Sequence, residues 1–409
     1  MNGVEWEMSK GLFLLWGGVL ASLALLALLI LISLSPPEIS SKTLTYFERA
    51  QVEKGQTYAQ VRYISFAVGQ AITILVLSAV VILLFHRGWV PLAGASPYLQ
   101  VMIYSFLLFV LLAAVSLPLE FYRGFMLEHR FGFSTQGLGA WFVDYGKGFI
   151  VNTVLTVVMF AGLYLVLRSW PLHWPLVGAG AFVLFLALQA WLWPLFIDPL
   201  FHKFEPLSPG PFKDRVVELA AGAGIEVGDV LVMDASRQTT KVNAYFTGVG
   251  QTKRIVFYDN LLRDFSQREA ELVVAHEIGH WKHHHITLGM LLGTGGALLF
   301  FLLYRLVLAG YGAPAGHPAT VPLLLLFMTV FSLLLMPVQN TVSRAFERQA
   351  DRTSIELTGD AAGAAAMSAN LATRNLADVQ PHPFIRGLFF THPPTVERIA
   401  AFEELAGRE

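Results

Sequence analysis

From about Gly11 to Leu34 the chain runs without a single charge. At about 1.5 Å of rise per helical residue, such a run crosses a hydrocarbon layer of about 30 Å. A cleaved signal peptide would have a shorter apolar core and a small-residue cleavage site. Ser35-Pro36-Pro37-Glu38 offers none, so the run reads as an uncleaved span. Six more spans read at about Ile64–Phe85, Leu99–Leu119, Phe149–Leu167, Pro175–Ile197, Ile286–Leu308 and Val321–Val338. Only 14% of residues are charged and 55% are apolar, a balance that suits a polytopic membrane protein and not one soluble domain. In the sixth span Gly289, Gly293, Gly295 and Gly296 include one G-x-x-x-G spacing, which predicts close helix–helix packing.

Charge in the connections sets the expected orientation. Lys42, Arg49, Lys54 and Arg62 follow the first span, and Arg123, Arg130 and Lys147 follow the third; the opposite side offers only Lys10, Arg87 and Arg168. The positive-inside rule puts the first group in the cytoplasm and the N-terminus outside. The long polar stretch from Asp198 to His285 and the C-terminal tail then share the cytoplasmic side. The net charge of −1 gives no reason to expect nucleic acid, and with no cysteine the chain has neither disulfides nor thiolate ligands. Any metal must sit on histidine and carboxylate.

The polar stretch has the pattern of a small α+β unit. Pro211–Gly222 reads as an amphipathic helix, and Asp229–Asp234, Lys241–Phe246 and Lys253–Tyr258 read as strands. A helix begins at Ser266, whose spacing to Glu269 has capping-box form. On it lies His276-Glu277-Ile278-Gly279-His280, of H-E-x-x-H form. Residues four apart share a helix face, so both imidazoles can reach one metal ion, with Glu277 placed to take a proton from water. A zinc ion in such a site makes water acidic enough to ionise near neutral pH. Nothing between Ser266 and Leu308 forces a break, and the metal helix is expected to run on into the sixth span.

Two histidines leave a catalytic zinc site one ligand short. Glu347 and Asp351, beyond the seventh span, are four apart and share a face. One can ligate while the other accepts an imidazole N–H; read alone, they could equally pair with Arg344, Arg348 and Arg352 on a solvated helix. Asn243-Ala244-Tyr245 lies on an expected strand, where an exposed edge could hold an extended peptide. Glu128–Phe133, after the third span, reads as an interfacial anchor as readily as a substrate contact.

Together, H-E-I-G-H at 276–280 and F-E-R-Q-A-D at 346–351 resemble the type I CAAX prenyl protease family of integral-membrane zinc metalloproteases. Glu128–Phe133, Asn243–Phe246, Lys253–Val256 and Thr391-His392-Pro393-Pro394 with Arg398 extend the resemblance over nearly the whole chain. It implies His276, His280 and Glu347 as ligands of one zinc per chain, Glu277 as general base and Asp351 as the partner behind a ligand. It further implies an oxyanion role for His392 and Arg398, and a fold of seven helices around an internal chamber under a cytosolic zincin-like cap.

The expected organisation is therefore mainly α. Residues 1–197 form five membrane helices, 198–265 the α+β loop domain, 266–344 the metal-motif helix with spans six and seven, and 345–409 a helical tail with the third ligand. The expected activity is zinc-dependent endopeptidase in a bilayer, acting on peptides or proteins that are prenylated or membrane-associated, with the site on the cytoplasmic side. The Ala-, Gly- and Leu-rich composition hints at a bacterium, hence an inner membrane and a role in membrane-protein processing or quality control. The rival is a zinc transporter or metal-handling protein, suggested by the tract His283-His284-His285. Against it, spans six and seven carry no acid or histidine for an ion path.

Overall fold

The computed structural model describes residues 3–87, 94–248, 253–312, 317–318 and 320–407, with side chains from residue 10 onward. Five long helices come first: α1 (Gly3–Ser33), α2 (Arg49–Arg87), α3 (Pro97–Phe121), α4 (Leu138–Ser169) and α5 (Trp174–Leu192). A polar region follows with β1 (Phe204–Pro206), α6 (Pro211–Gly222), β2 (Asp229–Met233), β3 (Ala244–Thr247), β4 (Arg254–Tyr258) and α7 (Gln267–Lys282). Two more long helices, α8 (His285–Gly310) and α9 (Thr320–Thr358), lead to α10 (Ala361–Arg374), α11 (Pro383–Phe389) and α12 (Thr395–Ala406).

Among the described residues seven helices are long and apolar enough to cross a membrane, one over each expected span. Their outward faces leave Phe13, Leu20, Leu31 and Ile150 exposed, as lipid-facing positions require. Several helices outrun the bilayer. At 39 residues α2 is about 58 Å long, so Arg49, Lys54 and Arg62 ride on a helical extension and not on a loop. Arg130 and Lys147 likewise sit on helix.

The small-residue stripe of the sixth span does not pack as expected. A Cβ added to Gly289, Gly293, Gly295 or Gly296 would meet nothing within 4 Å. These glycines line a largely apolar cavity of about 940 Å³ bounded by α4, α5, α8 and α9. Lacking side chains, they leave room. The close crossing is elsewhere: a Cβ on Gly310 of α8 would stand 2.7 Å from the backbone of Leu12 on α1.

The sheet has four strands in the order β1-β2-β4-β3. Strands β2 and β4 run parallel, with Asp229 opposite Arg254, and the other pairs are antiparallel. Sequence periodicity missed β1, which is only three residues long and ends in Pro206. It also began the middle strand too early: Lys241, Val242 and Asn243 precede β3 as irregular backbone. Side chains hold that segment. The Asn375 amide exchanges two hydrogen bonds with the Val242 backbone, at 3.1 and 3.0 Å, and Asn260 Nδ2 donates to the carbonyls of Thr239 and Lys241. Strand β3 therefore enters the sheet at its outer edge. A core of Val216, Ile255, Phe257, Leu272, Ile278 and Phe402 joins the sheet to α7 and the C-terminal helices.

Candidate metal centre

Ser266 caps α7 as its spacing predicts: its hydroxyl accepts from the Glu269 N–H and the Glu269 carboxylate accepts in return. The helix ends at Lys282. His284 then takes a left-handed backbone, φ 54°, before α8 starts. The expectation of one helix from Ser266 into the membrane is thus corrected, for a reason no breaker residue announces. Histidine tolerates this conformation better than most side chains do.

Helix α9 passes through the bilayer and continues to Thr358, carrying Glu347 and Asp351 on the same rod as the seventh span. It crosses α7 at Gly279, where an added Cβ would lie 2.8 Å from Ala350 Cα. This contact brings Glu347 up to the two histidines. His276 Nε2 lies 3.1 Å from Glu347 Oε2, His280 Nε2 lies 3.5 Å from Glu347 Oε1, and the two Nε2 atoms are 3.3 Å apart.

Behind this face His276 Nδ1 stands 2.9 Å from Asp351 Oδ1. Arg398 of α12 grips the same carboxylate with two hydrogen bonds, at 2.9 and 2.5 Å. The carboxylate accepts from both, so a neutral His276 presents its Nε2 lone pair inward. His392 follows α11 and sets its Nε2 3.1 Å from Glu347 Oε2, while its side chain stays half exposed. The turn that delivers it is fixed by two residues that sequence reasoning did not assign. Arg344 donates to the carbonyls of Arg386 and Phe390, and Asn340 donates to that of Leu388. Arg344 thus binds backbone, not the neighbouring acids.

Glu347 Oε2 is buried without a hydrogen bond although two imidazole nitrogens stand 3.1 Å away. Lone pairs gathered against a carboxylate have nothing to donate; a cation at their centre satisfies them all. Ligand atoms of His276, Glu347 and His392 lie within 4.8 Å of one another, and His280 joins them at the distances above. The donor set suits zinc. Burial disfavours charge on His276, yet the Asp351 and Glu347 carboxylates push its pKa up to about 10, so without a metal a proton supplies the positive charge that a bound cation would replace. Burial and the adjacent His276 lower His280 to about 4.

The Glu277 carboxylate accepts from the Phe246 backbone N–H of β3 and stands near enough to His276 and Glu347 to feel both charges. Burial raises its carboxyl to about 7, against the charge of His276 and the Phe246 backbone N–H. Because Tyr258 N–H bonds the Asn243 carbonyl, the alternation of an antiparallel ladder turns Tyr245 inward to β4. The N–H and C=O of Ala244 and Phe246 then face the open edge beside Glu277. The Tyr245 side chain itself packs on the sheet, its hydroxyl 3.9 Å from Met233 Sδ.

Glu128–Phe133 is neither a bare interfacial anchor nor part of the metal face. Glu128 pairs with Lys241 at 2.6 Å and accepts from the Tyr58 hydroxyl, and Phe133 is buried beside Tyr58. The segment straps α2 to the loop leading into β3. The histidine tract is also engaged: His283 Nε2 meets Thr353 Oγ1 at 2.9 Å, and His285 lies buried against Phe346.

Residues 208–406 match the model for peptidase family M48, and residues 34–203 match that for the CAAX prenyl protease N-terminal region with its five membrane helices. A CAAX prenyl protease 1 homolog of Oryza sativa is 31% identical over 70% of this chain and 69% of its own length. The chain belongs to peptidase family M48. Within that family it is of the CAAX prenyl protease type, a multi-span membrane metalloendopeptidase. The uncharacterized metalloprotease YhfN of Bacillus subtilis is 29% identical, covering 78% of this chain and 76% of the relative. The crystal structure of S. mikatae Ste24p shares the fold, with a TM-score of 0.82 at 23% identity over 96% of this chain and 99% of that one. The M48 family is zinc-dependent in general, and none of these similarities is to a transporter.

Proposed function

We propose that this chain hydrolyses peptide bonds of membrane-associated polypeptides with one zinc per chain, held by His276, His280 and Glu347. The observation that carries this reading is the convergence of two Nε2 atoms, 3.3 Å apart, on the buried Glu347 carboxylate, one at 3.1 Å from its unbonded Oε2 and the other at 3.5 Å from its Oε1. Zinc in that position supplies Lewis acidity, polarising a carbonyl and acidifying water. The side chains do the rest. Glu277 takes a proton from water as its oxygen attacks the scissile carbonyl carbon, then passes that proton to the amine as the C–N bond breaks. His392, half exposed at the open side, faces the oxyanion that develops on the carbonyl oxygen. Arg398 supports that face indirectly, by holding Asp351 and through it the His276 tautomer.

The substrate lies as an added strand on the open edge at Asn243-Ala244-Tyr245, bonded by the outward backbone groups of Ala244 and the Phe246 carbonyl, the Phe246 N–H being held by Glu277. Its membrane-embedded part is accommodated by the apolar cavity, which reaches Phe346 next to Glu347. Relatives bear the name CAAX prenyl protease, so a farnesylated CAAX-type peptide is a suitable substrate to offer. The charged extensions Arg49–Arg62 and Arg123–Lys147 support a cytoplasmic site with the N-terminus outside, under a cap built from 198–265 and 345–409.

Metal analysis and peptide hydrolysis of the purified chain, with and without Glu277→Gln, test this. One zinc per chain is expected in both proteins, with hydrolysis about 100- to 10,000-fold slower in the variant. Undiminished hydrolysis by Glu277→Gln would refute the mechanism.

A further inference from the structure

His280 is the one proposed ligand whose second nitrogen meets no carboxylate. Its Nδ1 lies 3.0 Å from Nδ1 of His285, and His285 Nε2 lies 2.8 Å from Gln349 Oε1. The Gln349 carbonyl can only accept, so His285 donates from Nε2. A neutral imidazole carries one proton, which leaves His285 Nδ1 as an acceptor. His280 must therefore donate from Nδ1, and its Nε2 is left with the lone pair that faces His276 and Glu347. Reversing the chain would put a proton on His280 Nε2 and spoil it as a ligand.

The backbone explains how two histidines five residues apart can meet. On an unbroken α-helix they would point about 140° apart. The left-handed turn at His284 folds α8 back so that the rings lie edge to face, with centroids 5.0 Å apart. His285 is only 5% exposed and stacks flat on Phe346, 4.2 Å between centroids. That ring is the neighbour of Glu347 in sequence. The break between α7 and α8 and the aromatic stack thus aim one acceptor at one ligand.

We infer that His285, oriented by Gln349, is a positioning residue that fixes the tautomer of His280 and thereby the zinc affinity of the site. This inference rests on the zinc ligands proposed above. The same relay accounts for two residues, His285 and Gln349, that the hydrolytic scheme leaves without a task.

Zinc affinity of the full chain in detergent, measured by competition with a chromophoric chelator, tests the inference without recourse to activity. His285→Phe keeps a flat ring against Phe346 but offers no acceptor. His285→Asn loses the stack but sets an amide oxygen where Nδ1 stood. The expected result is a 10- to 100-fold loss of affinity in His285→Phe, and restoration to within about threefold of wild type in His285→Asn. Wild-type affinity in His285→Phe, or equal losses in both variants, would overturn the inference and assign His285 to packing alone. A wild-type chain that binds no zinc would instead overturn the ligand set itself.

Discussion

Replacing Gly279 by alanine sets a methyl group against the backbone of α9. The new Cβ would stand 2.8 Å from Ala350 Cα, 3.1 Å from its carbonyl oxygen and 3.2 Å from its Cβ. Carbon atoms in contact prefer about 3.5–4.0 Å, so the two helices must part locally by close to ~1 Å. Overpacking of this kind costs about 1–3 kcal/mol, offset by up to about 1 kcal/mol of improved helix propensity. Stability should thus fall by no more than about 3 kcal/mol. The site suffers more. Gly279 stands between His276 and His280, and Ala350 is three residues from Glu347, so the displacement opens the 3.1 and 3.5 Å gaps between imidazoles and carboxylate. Metal–ligand distances tolerate about 0.2 Å, and a 1 Å misplacement can cost about 100-fold in rate. Zinc affinity should drop by more than about tenfold and peptide hydrolysis by about 100-fold, while the thermal midpoint in detergent moves only slightly. Adding Ala350→Gly removes the 3.2 Å contact alone and should restore little. Wild-type zinc affinity and rate in Gly279→Ala would refute the claim that this crossing sets the ligand geometry; full restoration by Ala350→Gly would move the clash from backbone to side chain.

Two further outcomes follow from buried charge. Arg398→Ala removes one of the two cationic partners of Asp351 and leaves His276, so the cost should fall short of the about 3–5 kcal/mol of a wholly unpaired buried charge; the drop should appear in thermal melts of the metal-free protein, and a loss below about 1 kcal/mol would contradict the role given to Arg398. Asp378, bonded to the Tyr63 hydroxyl, is pushed by burial up to about 6. Its folded pKa lies above the unfolded one, so its contribution is full below about pH 4 and lost as pH rises through about 6, at most about 3 kcal/mol. Asp378→Asn should therefore be relatively more stable than wild type at pH 7.5 and show no such advantage at pH 4; parallel melting curves at both pH values would count against this.

What the sequence disclosed and what it hid divide along physical lines. Uncharged runs and four-residue spacings are one-dimensional signals, so the seven spans and the shared faces of His276 with His280 and Glu347 with Asp351 could be read directly. Partnerships set by three-dimensional approach could not. Nothing in the spacing pairs Asn375 with Val242 or Arg344 with the carbonyls around His392, because each joins segments far apart in the chain. The turn at His284 escaped because its residue is no glycine. The glycines of α8 misled because small residues serve a tight crossing and a void equally well, and only the neighbours decide which.

One rod, α9, both traverses the lipid and ends in the residues that face the two histidines. From Val330, halfway along the apolar stretch Val321–Val338, to Glu347 is 17 residues, about 26 Å of lever arm. A lean of only about 2° would swing Glu347 by about 0.9 Å over that arm. Because α7 packs on α9 across Gly279 and Ala350, the histidines would travel with the carboxylate when bilayer thickness changes the lean of the rod, and that one crossing is what shields the site from the lipid.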